Sequence, residues 1–194
     1  MKLKIVGLAA LAATALTAFA ASTASATTLE VNGVTQNSSV SLSGSAESGT
    51  SWTLARTDGS LANTCTTSNI EAATSSPFTG TKVTGAVSTL TLSGCSETVT
   101  VDKTGKLYVQ HITGTTNGTV SSEEAEVTVK TPFGNHLNCK TGAGTDIGTL
   151  TGVSSGNATM DINAVLNCGF LLPSAIWKGS YTITSTGGSL GVSA

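Results

Sequence analysis

Residues 152–156, Gly152-Val153-Ser154-Ser155-Gly156, match G-x-S-x-G. That pattern can present a nucleophilic serine on a strand-to-helix turn. Such a serine needs a histidine as base and an acid to orient it. The chain has two histidines, His111 in YVQHI and His136 in FGNHLNC, and neither comes after Ser154. His136 with Asp146 or Asp161 is the available partner set. Beyond Gly156 the chain takes up a strand pattern rather than a helical one, so 152–156 reads as a Ser/Gly hairpin turn and no catalytic residue is expected.

The acidic cluster SSEEAE holds Glu123, Glu124 and Glu126. Two carboxylates can serve as a glycosidase pair or as calcium ligands. The simpler reading is a solvated strand edge whose charges discourage edge-to-edge pairing. Asp58, Asp102 and Asp146, all in turn-like stretches, are further candidates for weak calcium binding. A zinc site needs three or four His, Cys or carboxylate ligands. Two histidines cannot readily fill one if the cysteines are oxidised, so no metal or other cofactor is expected.

Four cysteines, Cys65, Cys95, Cys139 and Cys168, remain as reactive thiols or as staples. An even number in an exported chain reads as a disulfide framework. Three connectivities are possible. Spacings of 30 and 29 residues favour Cys65–Cys95 and Cys139–Cys168, each closing a hairpin-like loop. Trp177 and Tyr181, in AIWKGSY, are the aromatics best placed to stack on a sugar ring.

The N-terminal stretch MKLKIVGLAALAATALTAFAASTASA supports that compartment. Lys2 and Lys4 precede an apolar run from Ile5 to Ala20, and Ala24-Ser25-Ala26 forms a cleavage-type end. Residues 1–26 thus read as a secretory signal peptide and 27–194 as one secreted domain. The apolar run is too short for a membrane anchor. Removing 1–26 takes two of the nine basic residues and no acid. Seven bases then face eleven acids, a net charge of −4, with no basic patch for phosphate groups. Nucleic-acid binding and stable membrane insertion are not expected.

The elements that must carry these residues are strands. TLEVNGV, SVSLSG, SWTLAR, TLTLSG, TVTVD, KLYVQHI, AEVTVKT, TMDINAVL and SYTITST alternate apolar and hydroxyl residues. Thr, Val and Ile suit a pleated surface. Gly, Asn and Asp clusters separate the runs, with Asn117-Gly118 the strongest hairpin signal. IEAATSS (70–76) allows at most one helical turn. The expected fold is all-β, an antiparallel sandwich or partly open barrel with two disulfides. In TMDINAVLNC, residues 160, 162, 164, 166 and 168 share one face, so Cys168 points inward. Leu90 and Leu92 are in phase, but Cys95 is one residue out. A bulge at Ser93-Gly94 would restore it.

With its leader, TCTTSNIEAA, TLTLSGC and the closing YTITSTGGSLGV, the chain resembles uncharacterised secreted all-β proteins of bacteria. At the level of pattern it is similar to the PraB type, described as an activator of alkane oxidation and associated with cell-surface or biofilm material. The resemblance implies no functional residues. The expected function is a non-catalytic extracellular surface or matrix protein acting by adhesion or self-association. Its partners would be itself or a cell-surface polymer or glycan. A carbohydrate-binding module using Trp177 and Tyr181 is the alternative, and a secreted hydrolase built on Ser154 the third reading.

Overall fold

The computed structural model describes residues 26–194 except 61, 62, 77, 79 and 132. All but the last residue of the expected leader lies outside the described residues. The alternating segments form fifteen strands among the described residues, and no helix. The first five are β1 (Thr28–Val31), β2 (Val34–Thr35), β3 (Ser41–Ala46), β4 (Trp52–Arg56) and β5 (Asn63–Thr74). Next come β6 (Val83–Cys95), β7 (Val99–Lys103), β8 (Lys106–His111), β9 (Gly118–Glu123) and β10 (Glu126–Lys130). The last are β11 (His136–Lys140), β12 (Thr145–Thr151), β13 (Ala158–Leu166), β14 (Ala175–Ser185) and β15 (Leu190–Ser193).

Eight strands close a cycle of antiparallel pairings: β13, β12, β9, β8, β6, β5, β3, β14 and back to β13. β4 lies between the same two neighbours as β3. Ser41–Ser45 face Ala73–Asn69 of β5, and Trp52–Leu54 face Cys65–Asn63 of the same strand. On the other side, Leu42–Ala46 face Ser185–Tyr181 and Thr53–Arg56 face Lys178–Ala175. β3 and β4 are therefore one strand broken where residues 47–51 loop out. Two small sheets add to the cycle. β15, β1 and β2 form one, and β11, β10 and β7 the other. The second joins the chain just past β13 through paired backbone bonds between Lys140 and Asn167, 3.0 Å each way.

One seam stays open. β6 pairs with β5 along most of its length, but its other edge meets β8 only through residues 83–86. β7 pairs only with β10, on one edge. β6 and β7 are joined by three residues, 96–98, yet no ladder forms between them. The strand directions give the domain two rims. The upper rim holds the β5–β6, β8–β9 and β12–β13 connections. The lower rim holds the β4–β5, β6–β7, β10–β11 and β13–β14 connections.

The two disulfides pair as the spacing suggests, Cys65 with Cys95 and Cys139 with Cys168. They are not equivalent. The first joins directly opposed residues of the β5–β6 hairpin. The second does not close a hairpin: it ties β11 to the chain just past β13, beside the Lys140–Asn167 bridge. The reading of the second loop as a hairpin is thus corrected.

Burial follows the expected parity in β13. Met160, Ile162, Ala164, Leu166 and Cys168 are buried, whereas Val165 faces solvent. Each buried Leu, Ile or Val side chain stabilises by about 1.5–3 kcal/mol. β6 changes phase twice. Glu71 faces Thr89 while Ala72 faces Val87, which leaves Ser88 as an extra residue, a bulge not expected from sequence. At Gly94, φ is +61°, and a Cβ there would lie 2.0 Å from Thr66 Oγ1. Inward positions thus pass from Val83 and Val87 to Leu90 and Leu92, then to Cys95. Thr66 and Thr67 on the facing strand are both exposed, so the two strands change phase together in unbroken register, and the bulge expected at Ser93-Gly94 is not formed.

Two local expectations need correction. IEAAT (70–74) is the upper part of β5, because β3 and β6 supply backbone partners on both its edges. Tertiary pairing there outweighs the helix preference of Glu and Ala. The β8–β9 hairpin exists, but Asn117-Gly118 ends its turn rather than forming it, with Gly118 opposite His111. The tight Asn-Gly turn is Asn32-Gly33, where φ is +53° and +72°, as a type I′ hairpin requires.

Candidate functional site

The residues with catalytic types are dispersed. Ser154 lies in the β12–β13 connection at the upper rim, where its carbonyl accepts from Ser189 Oγ at 3.1 Å. Gly152 is needed there by close packing, since a Cβ would stand 2.1 Å from Thr116 O. His136 begins β11 near the lower rim, opposite Lys130. His111 Nε2 bonds Thr115 O within its own turn at 2.8 Å. Asp161 of β13 accepts from Ser180 Oγ of β14, and Asp146 of β12 stands opposite Ser121 of β9. Ser154 and His136 therefore sit at opposite ends of the domain.

The acidic cluster is also split among separate partners. Glu123 accepts from Tyr108 OH, and Glu124 lies 3.9 Å from Lys106 Nζ. Glu126 meets Lys103 Nζ at 2.8 Å and accepts from Asn138 Nδ2 at 2.6 Å. Those two partners, Lys103 first, hold its carboxyl below the ordinary glutamate range. Asp58 accepts from the Ser60 hydroxyl and amide, which lower its pKa, while Asp102 accepts from Thr128 Oγ1. Among the described residues, no three His, Cys, Asp or Glu side chains gather as a metal site.

Trp177 and Tyr181 are brought together, but toward the interior. Both stand on the inner face of β14, with Gly179 between them. The Trp52 ring fills the space over Gly179, and a Cβ there would lie 2.3 Å from its Cδ2. Ring centroids are 5.7 Å apart for Trp52–Trp177 and 4.3 Å for Trp52–Tyr181. Tyr181 is 3% exposed and its hydroxyl bonds Ser68 Oγ at 2.7 Å. Burial pushes its pKa up to about 12, with the Ser68 bond opposing the shift. Tyr181 is thus enclosed in an interior aromatic cluster, and Trp177, half-buried, packs at its side.

The surface with a distinct chemistry is the lower rim. Phe170 is 98% exposed, Phe133 85% and Leu171 62%. They project from two hydrogen-bonded loops. In the β13–β14 connection, Gly169 N–H donates to Asn167 Oδ1 at 2.9 Å and Cys168 N–H to Leu172 O at 3.0 Å. In the β10–β11 connection, Thr131 N–H donates to Asn135 O at 2.8 Å and Gly134 N–H to Thr131 O at 2.9 Å. Gly134 and Gly169 take φ near +80°, which glycine adopts without steric cost.

Between these loops opens a cavity of about 260 Å³, lined by Leu54, Val129, Phe133, Leu137, Leu171 and Leu172 with Asn63, Glu97, Thr131 and Asn135. Asn63 braces one wall: its Oδ1 accepts from Ser96 Oγ at 2.9 Å and Glu97 N–H at 3.0 Å. Sequence reasoning misses these residues because both segments read only as loops. The available signal is the set of apolar residues in two Gly/Pro-containing loops, TPFGN and CGFLLPS, of a chain with four phenylalanines.

No family model matches the chain, and neither the curated proteins nor the solved structures include one similar to it.

Proposed function

We propose that this protein is an exported, non-catalytic attachment protein that adheres to apolar surfaces through its lower rim. The observation carrying this reading is that Phe133 and Leu171, both exposed, line one apolar cavity, with the exposed Phe170 next to Leu171 in the chain. Contiguous exposed apolar surface on a folded domain marks a contact site. The two disulfides suit an oxidising compartment, and the leader-like residues 1–26 supply the route there. The interior position of Tyr181 and the dispersal of Ser154, His136 and the carboxylates favour adhesion over sugar stacking or hydrolysis. We read the strand cycle as a partly open barrel; its unbroken pairings and the unpaired β6–β7 seam support that description.

The test compares the wild-type domain with a Phe133→Ser, Phe170→Ser, Leu171→Ser variant on alkyl-coated and hydrophilic beads. Retention on alkyl beads should fall at least tenfold, the equivalent of about 1.4 kcal/mol. Thermal stability should stay within a few degrees, because the three side chains are exposed. Equal retention by both proteins would remove the reading. Sedimentation of the same pair separates surface adhesion from self-association.

A further inference from the structure

A second cavity lies inside the strand cycle, beside the aromatic cluster. Its volume is about 100 Å³, and Ile70, Leu90, Leu92, Met160 and Ile162 form much of its wall. Two buried side-chain polar atoms among the described residues have no hydrogen-bond partner, Trp52 Nε1 and Thr141 Oγ1. Both residues line this cavity. Trp52 is 1% exposed, so its N–H does not face bulk water directly. A buried donor without an acceptor costs stability unless something in the space accepts from it.

The cavity is too large and too apolar to be explained by ordered water alone. One water needs about 10–15 Å³ and two to four polar partners. Several waters would fit, but two orphaned groups cannot satisfy them. An engineered apolar cavity of roughly 150 Å³ stays dry and takes up benzene. A slightly smaller ring or short chain suits the present space. Charge narrows the class further. No Lys or Arg lines the cavity to neutralise an anion. Its one charged wall residue, Glu126, already bonds Lys103 and Asn138 and so offers little to a cation. Access runs along the unpaired edge of β6, where Leu90, Leu92 and Thr104 are partly exposed and line the same space.

We infer that this interior cavity binds a small, uncharged, mostly apolar molecule whose carbonyl or hydroxyl oxygen accepts from Trp52 Nε1, with the Thr141 hydroxyl as second partner. The site is independent of the lower rim. Binding is non-covalent, and the hydrogen bond selects for one oxygen in an otherwise hydrocarbon ligand.

The test uses the intact, oxidised protein with cyclopentanone as probe and cyclopentane as its counterpart without an acceptor. In a nitrogen-resolved NMR titration, cyclopentanone should move the Trp52 indole N–H resonance and saturate. Trp52→Phe keeps a ring over Gly179 and removes the donor. It should weaken cyclopentanone binding about three- to tenfold while leaving cyclopentane unchanged. Thr141→Val, nearly isosteric, gives a second reading of the polar contribution if Trp52→Phe fails to fold. Ala164→Leu, which fills the same space, should abolish binding of both probes. The assignment is overturned if the Trp52 indole resonance does not respond, or if cyclopentanone and cyclopentane bind alike in every variant. A long-lived water at Nε1 that neither probe displaces would overturn it too.

Discussion

Tyr181 and Ser68 share a hydrogen bond of 2.7 Å at the point where β3 gives way to the looped-out residues 47–51. Ser68 also donates to Thr91 O at 3.0 Å, so the pair links β14 through β5 to β6. The strand break thus has a polar tie in place of its missing ladder.

Removing the phenol from this tie should have a cost visible in both stability and pH dependence. Tyr181→Phe is expected to lose about 1 kcal/mol at neutral pH. In the folded protein Tyr181 ionises near 12, against an ordinary 10. The folded pKa is raised, so its contribution is intact below pH 10 and is lost as pH rises towards 12. Chemical denaturation across that window should show a falling wild-type stability that is shallower in Tyr181→Phe. Tyr108, also raised, foremost by its bond to Glu123, remains in both proteins and cancels in the comparison.

Glu126 gives the opposite limb. Lys103 and Asn138 hold its carboxyl below the ordinary glutamate value of 4.5. The stability it contributes is present above that value and is lost as pH falls through the depressed one. Glu126→Gln should flatten part of the acid limb of a stability–pH profile. An acid limb identical to wild type would show that the Lys103 pair does not matter in solution.

The two staples should differ in effect despite closing loops of nearly equal length. Chain entropy assigns each about 3–4 kcal/mol. Cys65–Cys95 duplicates a ladder that β5 and β6 already form, whereas Cys139–Cys168 reinforces a junction of one backbone bridge. Replacing Cys139 and Cys168 by Ser should therefore speed hydrogen exchange in β10 and β11 selectively. The Cys65/Cys95 double variant should lower global stability while leaving exchange in β10 and β11 in step with the rest. Peptide mapping under non-reducing conditions checks both pairings.

Gly179→Ala should destabilise by about 1–3 kcal/mol through overpacking. The new methyl would meet the Trp52 ring, whose nearest atoms stand 2.3–2.5 Å from its position. Near-ultraviolet circular dichroism should change along with the melting temperature, since the aromatic cluster must shift. Gly49→Ala, where φ is positive but nothing lies within 4 Å, separates backbone strain from the clash.

Much of the strand content and the cysteine pairing was legible because parity and spacing are local properties. TMDINAVLNC declares its inner face by alternation alone, and Cys95 declares its phase error against Leu92. Gly94 answers that error with a left-handed backbone. What local pattern could not show was which edges meet. Nothing in SVSLSG and SWTLAR says that β3 and β4 share one slot between β5 and β14. Trp177 read as an aromatic free to stack on a sugar because its partial burial depends on Trp52, more than a hundred residues away. Phe133 and Phe170 likewise acquire meaning only when two distant loops arrive at one rim.

Thr28 of β1 and Ser193 of β15 face each other in the small sheet packed at the upper rim. Whatever chain precedes the one or extends beyond the other therefore leaves from a single pole, away from Phe133 and Phe170. A tether at either point gives the molecule a heading: its covalent pole stays with the anchor and its greasy pole leads. Fusions to a bead, a dye or a second domain at either end will leave the leading face unobstructed, without redesign of the fold.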